Sequence, residues 1–166
     1  MLGVTLNDLA EFPERLARTY WAIPQTHRNW TPASCEGIPS EQFSALGQIC
    51  HVRDIEVDGY HVRLRRMLEE QSPDLESLDG YELARQRAYE NADPAEVLQA
   101  ITAARARTLA IIRPLSDEQL GRTGHFEGHE LTVKGLLHLL CSHDQQHLAG
   151  LHWLLSRIDA PNASAG

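Results

Sequence analysis

Apolar positions recur with a helical period over four long stretches of the chain, and no segment between them shows the period-two alternation of a strand. In the first stretch, from about Thr5 to Ala22, Leu6, Leu9, Phe12, Leu16 and Tyr20 form one stripe, the spacing that lines one helix face. Thr5 is placed to cap this helix and Pro13 to kink or split it. A turn-rich loop follows from Ile23 to Pro39. Ser40 then stands as cap of a second helix, about Glu41 to Gln71, with Phe43, Leu46, Cys50, Val57, Leu64 and Leu68 as core positions. Asp93-Pro94 opens a third helix as cap and first-turn proline, ending near Pro114. Thr132 caps a fourth that continues to about Ile158. Tyr81 to Tyr89 predicts a short helix, Ser116 to Gly121 one further turn, and glycine-rich Gly121 to Glu130 a loop.

Four such helices predict an all-α four-helix bundle, with a long crossover between the second and third. The 166 residues suit one domain, expected over 1–160 with a flexible tail over 161–166. No apolar run approaches the roughly 20 residues that cross a bilayer, and Met1 to Ala10 lacks the basic and apolar regions of a signal peptide. The expectation is a cytoplasmic protein without a membrane partner. Cys35, Cys50 and Cys141 are too few and scattered for a disulfide framework, and Cys50 and Cys141 suit small buried apolar positions. A formal charge of −8 disfavours a nucleic-acid partner, because phosphate binding needs a basic footprint.

Nine histidines change this picture, because they crowd toward the C-terminal third. In the fourth helix the run His143-Asp144-Gln145-Gln146-His147 sets two imidazoles four residues apart, roughly 40° apart on one face. Both fall within or at the edge of the apolar arc of Val133, Leu136, Leu140, Leu151, Leu154 and Ile158. Polar groups in such an arc need partners, and a metal ion would satisfy two at once. The third ligand should come from another helix. His51 is the best candidate, mid-helix with small Gly47 one turn before it. Asp144 would orient a histidine or handle a proton, or else pair with an Arg or Tyr of a neighbouring helix. It also breaks the zinc-peptidase motif, which needs Glu after the first His. His61 is expected on the surface or rim, His125 and His129 as exposed loop residues that could edge a pocket, and His138 and His152 on the surface.

The segment Leu46-Gly47-Gln48-Ile49-Cys50-His51-Val52-Arg53-Asp54-Ile55-Glu56, followed much later by His143-Asp144-Gln145-Gln146-His147-Leu148, resembles the DinB superfamily of DinB/YfiT-like metalloenzymes. Asn29-Trp30-Thr31-Pro32, Tyr89 with Asp93-Pro94, and Gly128 add to the resemblance, which spans nearly the whole chain. It implies an up-down-down-up bundle, often a homodimer, with one divalent metal on the histidines matching His51, His143 and His147. It also implies thiol-dependent transferases and isomerases, or hydrolases, acting on small molecules.

Three neutral histidines leave coordination positions open, as in catalytic rather than structural sites. The leading expectation is therefore a metal-dependent S-transferase or hydrolase, with a low-molecular-weight thiol as cosubstrate in the first case. The competing expectation is a non-catalytic metal-binding or stress-response protein. Zinc or nickel comes first among the ions, with iron, cobalt, copper or manganese also compatible with such ligands.

Overall fold

The computed structural model describes residues 3–160, so the tail expected over 161–166 lies outside the described residues. Helix α1 (Gly3–Trp21) buries Leu9, Phe12, Leu16 and Tyr20, the stripe read from the sequence. Thr5 is not its cap. It lies within the first turns, buried, with Oγ1 3.1 Å from His138 Nδ1 on the last helix. Nor does Pro13 split the helix. Proline removes the N–H that would bond the carbonyl four residues back, here Leu9, and Arg105 Nη1 donates to that carbonyl instead at 2.7 Å.

Helix α2 (Ala45–Asp54) starts later than the sequence suggests, because Ser44 rather than Ser40 accepts a bond from Gly47 N and caps it. Glu41 therefore stands outside the helix. A π-helical turn, Ile55–Tyr60, joins α2 to α3 (His61–Glu69). One extra residue in a turn sets every later side chain back by about 100°. That phase shift overturns three expectations. Val57 is 41% exposed, Leu68 is only partly buried, and His61 is buried, its Nε2 2.9 Å from Thr108 Oγ1 and 3.1 Å from the Ala104 carbonyl.

The long crossover contains β1 (Asp74–Leu75) and α4 (Gly80–Gln86). Helix α5 (Pro94–Ile112) begins as expected, with the Asp93 carboxylate accepting from Ala95 N and Glu96 N. After α6 (Asp117–Leu120) the expected glycine-rich loop is instead a hairpin, β2 (Thr123–Phe126) and β3 (His129–Thr132). Its turn residues Glu127 and Gly128 both have positive φ, 51° and 81°, the geometry of tight two-residue hairpin turns. Strand β1 adds to β2 in parallel. Strands of two and four residues are too short for alternation to register in the sequence. Helix α7 (Val133–Ile158) is capped by Thr132, as expected.

Helices α1 and α2 each pack against both α5 and α7, so α1 and α2 occupy opposite corners. Paired contacts give the directions. Thr5–His138 and Asp8–Cys141 make α1 and α7 parallel. Gln48–His147 and His51–His143 make α2 and α7 antiparallel. Glu56–Arg105 and His61–Thr108 make the second rod and α5 parallel. The order is up-down-down-up. No described helix is long and apolar enough to cross a membrane.

A charged layer lies inside this bundle. Arg105, 1% exposed, donates through Nε and Nη2 to Glu56 and through Nη2 to Asp144 Oδ1, while Thr108 Oγ1 donates to Glu56 Oε1. Burial pushes the Asp144 carboxyl up to about 7 against the pull of Arg105. Removing one member of such a cluster leaves buried charge behind, at a cost of about 3–5 kcal/mol. Arg105→Met should lower the unfolding free energy by about that much in denaturant titrations. Adding Glu56→Gln and Asp144→Asn in the same chain should recover part of the loss.

Candidate metal centre

The antiparallel α2 and α7 set three imidazoles against one another. His147 Nε2 lies 3.1 Å from His143 Nε2, which lies 3.3 Å from His51 Nε2. The carboxylate of Glu41, folded over them from the lead-in to α2, completes the cluster. Its Oε1 is 3.3 Å from His51 Nε2 and its Oε2 is 3.1 Å from His147 Nε2. Glu41, His51, His143 and His147 each offer a donor atom within 4.8 Å of the others. Ligands about 2.0–2.1 Å from a tetrahedral ion stand about 3.3 Å apart, so these spacings fit a divalent ion.

The surroundings orient the donors. Gln48 Nε2 donates to the backbone carbonyls of Glu41 and Phe43, at 2.8 and 3.3 Å. That choice turns its Oε1 toward His147 Nδ1. A carbonyl oxygen only accepts, so the network assigns the His147 proton to Nδ1 and the lone pair to Nε2. Gly80, at the start of α4, packs on the His51 ring: a Cβ there would lie 2.5 Å from His51 Cε1.

Electrostatics favour the metal-binding protonation states. The imidazoles of His147 and His51 beside it hold the Glu41 carboxyl well below the usual carboxylate range. Burial, reinforced by His147 and His51, holds His143 well below the usual imidazole value. Burial likewise lowers His147. Neutral imidazoles and an ionised carboxylate are the forms that bind a cation.

The cluster opens into a cavity of about 510 Å³, whose wall includes Tyr60, Arg63, Leu78, Phe126 and His129. No cysteine lines it. His51, His143 and His147 thus come together as the sequence brings them. Asp144 lies beyond the cluster, bonded to Arg105. His125 and His129 are exposed, and only His129 reaches the cavity. His138 and His152 are exposed. Sequence reasoning missed Glu41 and Gln48, both of which it placed on the helix without a role.

A protein-family model for the DinB superfamily matches residues 6–151. The chain belongs to the DinB superfamily. Among solved structures, this DinB-superfamily chain is similar to YfiT from Bacillus subtilis, with a TM-score of 0.82 and 22% identity over 94% of this chain and 86% of that one. YfiT is described as a probable metal-dependent hydrolase with an unusual four-helix bundle topology. No curated protein matches the chain.

Outer partners that fix a ligand's tautomer are worth about 10–100-fold in metal affinity. Gln48→Met should cost about that much in zinc or nickel titrations, and Gly80→Ala should also weaken binding by displacing His51. Proton competition sets the pH dependence. Because His143 and His147 are lowered from the usual value near about 6.5, affinity should change little above that pH. It should fall as the pH drops below about 6, and equilibrium dialysis across a pH series reads this directly.

Proposed function

We propose that this protein is a metal-dependent enzyme in which His51, His143 and His147, with Glu41, hold one divalent ion facing a small-molecule cavity, and that it is a hydrolase. The observation that carries the reading is the convergence of three imidazole Nε2 atoms and one carboxylate, with Glu41, His51 and His143 in the wall of the 510 Å³ cavity. That volume suits a small molecule. An ion bound there supplies Lewis-acid chemistry, polarising a carbonyl and acidifying water or a thiol.

The chain's own residues supply the rest. Glu41 is held ionised and is about one-third exposed, the form in which it offers the ion a carboxylate oxygen at the cavity edge. Tyr60 lines the cavity with its ring 6.2 Å from that of His143, and its hydroxyl bonds no described residue. Burial raises the Tyr60 hydroxyl above its ordinary value, so it stays protonated and can donate to a substrate oxygen. Asp144 acts on the site by fixing the rotation of α7 through Arg105. The similarity to YfiT supports hydrolysis at the level of fold.

A second reading is a thiol transferase. The absence of cysteine from the cavity wall favours it, since the reacting thiol would then arrive as a cosubstrate. A non-catalytic metal protein would not need such a cavity. A homodimer belongs to the same reading, and sedimentation tests it.

Purified protein should carry about one zinc or nickel per chain, and His51→Ala, His143→Ala or His147→Ala should sharply reduce it. Metal-loaded protein should cleave members of an ester and amide panel without thiol, and metal-free protein should not. Conjugation of electrophiles only with an added small thiol, surviving replacement of all three cysteines, would transfer the assignment to a transferase. Equal rates for metal-free and loaded protein on both panels would remove catalysis at this site.

A further inference from the structure

The cavity also contains a buried cation without an acidic partner. Arg63 is 5% exposed, yet no carboxylate of a described residue lies within ion-pair distance of it. The other deeply buried arginine, Arg105, is matched by both Glu56 and Asp144. Arg63 instead donates from Nε and Nη2 to a single backbone carbonyl, that of Glu76, at 3.1 and 2.9 Å. Its Cζ stands 4.4 Å from the Phe126 ring centroid and 5.2 Å from that of Tyr60. Buried charge normally has a paired opposite charge, and aromatic faces compensate only part of it.

Two acidic groups, Glu41 and Glu127, share the cavity wall with Arg63, and neither reaches ion-pair distance of it. Glu41 faces His51 and His147, Glu127 is exposed and accepts from Ser77, and Asp58 pairs with Arg87. The π-helical turn puts Arg63 here. Twelve residues beyond His51, a continuous α-helix would turn it about 120° from that histidine, whereas one extra residue in the turn brings it to within about 20°. Tyr60 neighbours both, with Arg63 Cζ 5.2 Å and the His143 ring 6.2 Å from its ring centroid.

We propose that Arg63 makes this cavity selective for organic monoanions, carboxylates above all. The acid group would sit by the guanidinium and the reacting group by the histidine cluster, with Tyr60 next to both. This rests on the reading of the cavity as the substrate site. A single guanidinium matches a single negative charge, and the apolar wall of Leu78, Phe126, Leu131 and Leu139 receives the body of the molecule. An ion pair of this kind adds about tenfold or more in affinity over a neutral analogue.

The test is calorimetric binding of benzoate, benzamide and benzylamine to metal-loaded and chelator-treated full-length protein, as wild type, Arg63→Gln and Arg63→Lys. Wild type should prefer benzoate over benzamide by about tenfold, with benzylamine weakest. Arg63→Gln should bring the first two together, and Arg63→Lys should keep the order. The same preference in Arg63→Gln as in wild type would overturn the proposal by assigning carboxylate binding to another group. So would a wild type that does not favour benzoate over benzylamine, a comparison that needs no variant to fold. Metal titration of the same samples separates the two readings. Benzoate preference in protein that takes up no metal keeps the Arg63 site and removes the metal centre; one bound ion without the preference does the reverse.

Discussion

Arg105 is the contact on which the architecture turns. It reaches three other elements of the bundle from α5: the Leu9 carbonyl on α1, Glu56 in the π-helical turn, and Asp144 on α7. Each bond answers a local defect. Pro13 leaves the Leu9 carbonyl without its helical donor, and the two carboxylates could not be buried alone. Because Asp144 is adjacent to His143, its bond to Arg105 fixes the rotation of α7. With Asp144 turned toward α5, His143 and His147 face α2. The layer that stabilises the bundle is therefore also the one that aims two histidines.

From α2 the same positioning is achieved differently. Gln48 sits one turn before His51, and its amide is locked by the Glu41 and Phe43 carbonyls. It thereby orients His147 while His51 meets His143. Below His51 the π-helical turn changes the phase of the rod. His51 before it joins the histidine cluster, whereas Tyr60 at its end and Arg63 after it extend the cavity wall and His61 turns into the core against Thr108. One extra residue thus sets the segment that carries His51 out of phase with the one that carries Arg63 on a single rod.

The fold was legible because four long periodic stretches and their caps, Asp93 and Thr132 above all, are strong local signals. His143 and His147 were legible as a pair because polar groups in an apolar arc demand a partner, and His51 as the mid-helix histidine, beside small Gly47, that could meet them. Glu41 was not, because two serines four residues apart compete to cap α2, and the choice of Ser44 moves Glu41 off the helix. His61, Val57 and Arg63 were misplaced or overlooked for one reason, since no residue type announces a π-helical turn. The hairpin escaped because its strands are too short to show a period. Asp144 illustrates the remaining gap: the sequence offered both an arginine partner and a role beside the histidines, and only packing distinguishes them.

The proposed metal centre stands most directly on which atoms surround a bound ion. X-ray absorption at the edge of zinc or nickel in loaded protein should show three imidazoles and at least one oxygen at about 2.0–2.2 Å. In the Glu41→Gln variant the imidazole count should be unchanged. Fewer than three imidazoles, or a sulfur neighbour at about 2.3 Å, would contradict it.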